Sequence, residues 1–235
     1  MFSWLERYGY VALLASLSGL FVLSPLIHDE YYGIVFETYV FCVVLLFCVF
    51  SLNPRRWVKY LAFGTAGTTS VMWYLSHLYN NPLFNTTSFH LLVDFMAVFF
   101  LFIVSALILK DVLLAKEVNP NLLCGSVCLY LLIGLLFSVN YHAAILIDQN
   151  ALQSTIPGLV IDKNVDLHSE GLSIRYFSFV TLSTLGFGDI VPGNNLTRTM
   201  AWIESVFGQI YLTILVARLV GLHIAVDTAK SSPNS

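Results

Sequence analysis

One run of residues has the types and spacing to do chemistry with its backbone alone: Thr184-Leu185-Gly186-Phe187-Gly188-Asp189. Its two glycines alternate with bulky side chains, and glycine enters positive φ at little cost. Dihedrals that alternate between left- and right-handed regions turn successive carbonyl oxygens toward one side of such a strand. A row of carbonyls can replace the water around a dehydrating cation. Thr184 adds a hydroxyl, a further oxygen at one end of the row. One chain carries one such strand, so enclosing an ion takes several copies around an axis.

Such a strand needs a rigid frame, and the composition points to a membrane. Of 235 residues, 57% are hydrophobic and 11% charged, with a mean hydropathy of +0.79. Soluble domains carry about a quarter charged residues. No basic run or patch supports nucleic-acid binding. Cys42, Cys48, Cys124 and Cys128 lie inside apolar stretches without metal-finger spacing, and read as small buried hydrophobes. The first apolar stretch lacks a small-x-small cleavage site and reads as a span rather than a signal peptide.

Six apolar stretches approach the ~20 residues a spanning helix needs: Tyr8–Ile27, Gly33–Leu52, Trp57–Leu78, Phe89–Leu109, Leu122–Ile147 and Thr197–Val226. A shorter apolar segment, Ser173–Ser183, precedes the glycine run and suits a re-entrant helix. Arg55, Arg56 and Lys59 sit between stretches two and three, and Lys110 and Lys116 between four and five. The positive-inside rule puts those loops, and both termini, in the cytoplasm. Asn85-Thr86-Thr87 and Asn195-Leu196-Thr197 match the glycosylation pattern and read as turns.

The string Thr-Leu-Gly-Phe-Gly-Asp, set between the last two spans, resembles the selectivity-filter signature of tetrameric potassium channels. That resemblance implies an all-α membrane protein of six transmembrane helices, with a re-entrant pore helix and filter between helices five and six, assembled as a homotetramer. It divides the chain into a four-helix domain (1–116), a pore domain (117–226) and a short tail (227–235). K⁺ would bind at Thr184, Leu185, Gly186 and Phe187 and pass through as the transported ion, with no cofactor. Tyr176 and Phe177 fall where the family carries an aromatic cuff around the filter. Phe187 replaces the usual Tyr, and Val180 stands where some relatives place a Glu that pairs with the signature Asp. Asp189 is therefore expected to lack its usual partners, leaving the filter braced more by packing than by hydrogen bonds.

Gly208 follows Asp189 by nineteen residues, the family's spacing for a gating hinge, although glycine also permits close packing. Helical turns from it put Leu212, Val216, Val220 and Ile224 on one face, expected to line an inner cavity and gate it by dewetting. Arg218 should point away from that face. The loops around the filter hold Asp148, Asp162, Asp166, Glu170 and Asp189 against Lys163, Arg175 and Arg198, a balance of −2 per chain and −8 for four, which would concentrate cations.

The fourth stretch departs from a voltage sensor. Such a helix needs several Arg or Lys, each worth about 2.3 kcal/mol per 100 mV, and Phe89–Leu109 has none. Glu37, His77, His90 and Asp94 share a depth in the outer half of the first four helices. They form a candidate cation, proton or metal site, against the plainer alternative of solvated or hydrogen-bonded polar groups. Glu204 is expected behind the pore helix, as a partner for Asp189 or Arg175. The implied function is a potassium-selective channel that is not steeply voltage-gated. The alternatives are a poorly selective monovalent cation channel and a subunit of a secondary potassium transporter, a class that strings four filter-like repeats in one chain. No nucleophile motif or histidine pair supports an enzyme or a haem. The compact form points to a bacterial inner membrane.

Overall fold

The computed structural model describes residues 2–26, 64, 67–68, 71, 87–115, 120–155 and 167–231. The second and third apolar stretches lie almost wholly outside these residues. So do Glu37, His77, Cys42 and Cys48.

Helix α1, Phe2–Leu23, gives way to a 3₁₀ turn, Ser24–Leu26, where Pro25 has no N–H to continue the α-helical ladder. Helix α2 spans Thr87–Leu114 and α3 spans Pro120–Ile147, with Pro120 at the first position, where its missing N–H is not needed. Tyr10, Leu13, Leu17 and Leu20 recur at intervals of three and four, which puts them on one face of α1. That face packs into a core with Phe100, Leu101, Val104 and Ile108 of α2 and Cys128, Leu129 and Leu132 of α3. Tyr10 pins the three helices: its hydroxyl donates to Asp111 at 2.9 Å, and its N–H to Asn121 at 3.1 Å.

The chain then forms a short strand β1, Leu152–Ser154, a helix α4, Leu167–Leu182, a strand β2, Ile190–Pro192, and a long helix α5, Asn195–Ser231. The strands pair antiparallel with Gln153 opposite Val191, an addition to the expected all-α architecture. Asn194 caps α5, its side-chain oxygen accepting from the N–H of Thr197 at 2.9 Å. Among the described residues, three helices are long and apolar enough to cross a membrane: Thr87–Leu114, Pro120–Ile147 and Asn195–Arg218. These correspond to the fourth, fifth and sixth predicted stretches. The apolar part of α1, Gly9–Leu23, is shorter.

Helix α5 differs from the other two. Only 11% of its apolar window is buried inside the chain, against 50% for α3. Arg218 leaves the exposed side of α5 and donates to the carbonyl of Ala115 at 2.6 Å, just past the end of α2. A guanidinium there meets the negative end of a helix dipole.

Candidate functional site

Helix α4 packs between α3 and α5 and ends beside the glycine run. Its last carbonyls need partners once the helix stops, and the chain that follows supplies them. Ser183 N–H donates to Phe179, Thr184 N–H to Thr181, and Leu185 N–H to Val180 at 3.0 Å. The Ser183 hydroxyl adds a 2.6 Å bond to Phe179, and Ser205 of α5 donates to Thr181 at 3.0 Å. The run is thus anchored on the helix end, with Val180 acting through its carbonyl.

Beyond that anchor, positive φ falls on every second residue: Thr184 at 59°, Gly186 at 57° and Gly188 at 79°, with Leu185 and Phe187 outside that region. Glycine accepts this, but a β-branched threonine is a true outlier there. Thr184 is held by its neighbours. Its N–H bonds Thr181, its hydroxyl donates to Ser183 at 2.6 Å, and Gln209 of α5 donates to that hydroxyl at 2.9 Å. The bulky side chains of Leu185 and Phe187 are 62% and 66% exposed.

Asp189 corrects the sequence reading. It does not lack a partner: the Tyr176 hydroxyl donates to one carboxylate oxygen at 2.7 Å, and Ile190 N–H to the other at 3.1 Å. The ring of Tyr176 also stacks on Phe187, with centroids 6.5 Å apart and planes 3° from parallel. One side chain therefore braces the run by packing and by hydrogen bonding together. The Tyr176 hydroxyl holds the Asp189 carboxyl below its ordinary pKa. At the same end Asn194 does likewise for Asp148, donating to it at 2.8 Å.

Thr155, which nothing in the sequence marks, closes the far end. Its N–H donates to the Asp189 carbonyl at 2.8 Å and its hydroxyl to the Gly188 carbonyl at 2.9 Å. This continues the β1–β2 ladder onto the glycine run. Thr155→Val keeps the N–H and the shape but removes the hydroxyl. Because Thr155 is exposed, the expected loss is at most about 1 kcal/mol, read as a small fall in thermal midpoint.

The remaining predicted residues are dispersed. Phe177 turns from the run and packs edge-on against Tyr141 at 4.9 Å, which divides the expected aromatic pair. Gly208 sits buried under the end of α4, where a Cβ would come 2.1 Å from the Leu182 carbonyl oxygen. This gives close packing a concrete reason. Leu212, Val216 and Val220 are all exposed on α5. Ile224 continues that helix, and its side chain lies outside the described residues. Asp94 pairs with His142 of α3 at 2.8 Å, while His90 lies edge-on to Phe89. Among the described residues, no group of three or more His, Cys, Asp or Glu could hold a metal ion.

Residues 151–223 match the family model described as "Ion channel". That stretch is similar to an ion-channel domain. The match takes in β1, α4, the glycine run, β2 and most of α5, and leaves out α1 to α3. No curated protein matches the chain. With that similarity and, among the described residues, three apolar helices of spanning length, the chain is an integral membrane protein. Thr184–Asp189 is held from several sides. There α4, α5 and Thr155, the residue after β1, each contribute at least one hydrogen bond or packed ring.

Proposed function

We propose that the chain is the subunit of a potassium-selective channel, a homotetramer that conducts K⁺ passively across a lipid bilayer. The observation that carries this reading is the alternation of positive φ at Thr184, Gly186 and Gly188. It is the dihedral pattern a strand needs to offer successive carbonyls to one axis, and K⁺ is the ion such carbonyl rings dehydrate. Four copies would complete each ring. Uncovered apolar side chains on α5, such as Phe207 at 57% and Ile210 at 51% exposure, supply surface for neighbouring copies. Leu212, Val216 and Val220 would then line the inner cavity, with Ile224 extending the constriction. Asp148 and Asp189 would bias the outer mouth toward cations. Both termini would be cytoplasmic.

Reconstitution of the purified chain into planar bilayers under opposed K⁺ and Na⁺ gradients tests this. The expected reversal potential lies close to the K⁺ equilibrium value, with current blocked by barium. A reversal potential near zero would make it a poorly selective cation channel. An assembly that is not fourfold would remove the reading altogether.

A further inference from the structure

The most completely buried acid among the described residues lies behind the pore helix rather than in the conduction path. Glu204 of α5 is 0% exposed. One carboxyl oxygen lies 2.5 Å from the hydroxyl oxygen of Ser178 on α4, and the other accepts from the Tyr141 hydroxyl of α3 at 2.8 Å. The expected partners, Asp189 and Arg175, are not the ones it meets. Ser178, also 0% exposed, lies 2.8 Å from a second acceptor, the backbone carbonyl of Gly134.

The protons in this cluster can be counted. A serine hydroxyl has one hydrogen to donate, yet Ser178 faces two oxygens within bonding distance. The Gly134 carbonyl has none to give. If Glu204 were ionised, the single Ser178 hydrogen would serve one contact and leave two bare oxygens facing each other in the other. One arrangement satisfies all: Glu204 carries a proton and donates it to Ser178, Ser178 donates to Gly134, and Tyr141 donates to the remaining Glu204 oxygen. Burial favours the same state. A carboxylate in a membrane span needs a compensating cation, and among the described residues no salt bridge reaches Glu204. The titratable side chains facing it are Tyr141, bonded from α3, and Tyr130, within electrostatic reach on the same helix; α4 presents only Ser178.

We propose that Glu204 is a neutral carboxylic acid whose proton fixes the pore helix between the outer and inner helices, making it a positioning residue for the filter. Its effect on conduction rests on the channel reading above, whereas the proton assignment does not. Infrared spectra of the purified full chain at pH 7 test the assignment without any current. A protonated-carboxyl C=O band is expected that disappears in Glu204→Gln and shifts in Tyr141→Phe, since Tyr141 donates to the carbonyl oxygen. Loss of a carboxylate band in Glu204→Gln, with no protonated band affected, would overturn it.

Function gives the second arm. Gln can donate to Ser178 and accept from Tyr141, so Glu204→Gln should conduct within about twofold of the native chain, while Glu204→Leu and Ser178→Ala fall by about tenfold. Equal currents in Glu204→Gln and Glu204→Leu would overturn the positioning role. Should Glu204→Leu fail to assemble, Ser178→Ala carries the comparison alone, and an unchanged current there would do the same.

Discussion

Gly208→Ala is expected to cut conduction at least roughly tenfold and to lower the stability of the assembly. The added Cβ would stand 2.1 Å from the Leu182 carbonyl oxygen and 3.0 Å from its carbonyl carbon. Both are backbone atoms at the end of α4, so no side chain can swing aside. Either α5 moves out or α4 is pushed up into the strand it anchors. Overpacking of this kind typically costs about 1–3 kcal/mol, here once per subunit, so ion flux should fall at least roughly tenfold and the thermal midpoint with it. Gly221→Ala on the same helix is the control, because nothing lies within 4 Å of its added Cβ. The pair also separates close packing from a hinge. A Gly208→Ala chain with native stability but altered opening would assign the glycine to bending instead.

The alternating backbone of Thr184–Gly188 was legible from residue types, because positive φ favours glycine at fixed positions. The expected packing of Glu204 against the helix before the glycine run, α4, also followed from helix depth. Its partners did not, since Tyr141 and Ser178 are ordinary residues whose meeting depends on how three helices pack. The aromatic pair illustrates a different limit. Adjacent helical residues point about 100° apart, so Tyr176 and Phe177 cannot both face the filter. One reaches Asp189 and Phe187, and the other enters the core beside Tyr141. Asp94 was grouped with Glu37, His77 and His90 by shared depth, but depth says nothing of azimuth, and the side chain it meets is His142 of α3. Strands β1 and β2, of three residues each, are too short to leave a period in the sequence, and so Thr155 went unmarked.

If the chain conducts as proposed, the clasp between Tyr176 and Asp189 should set its acid tolerance. The Tyr176 hydroxyl bonds the ionised carboxylate and so holds its pKa below the ordinary value. A depressed carboxyl stabilises the fold fully above its unfolded pKa, and that contribution is lost as pH falls through the lower folded value. Conduction should therefore stay flat from neutral pH down to about pH 4, the ordinary carboxylate range, and decline only below it. Tyr176→Phe removes the chief cause of the shift but keeps the ring against Phe187. Its acid limb should move toward higher pH, with near-native current at pH 7 and a several-fold deficit near pH 4. Asp189→Asn has nothing to ionise, so it should lose current several-fold at every pH with no acid limb from this site. Currents recorded while the filter-side solution is titrated distinguish the three chains. Coincident acid limbs in the native chain and Tyr176→Phe would mean that the hydroxyl seen at 2.7 Å does not brace the filter in the conducting state.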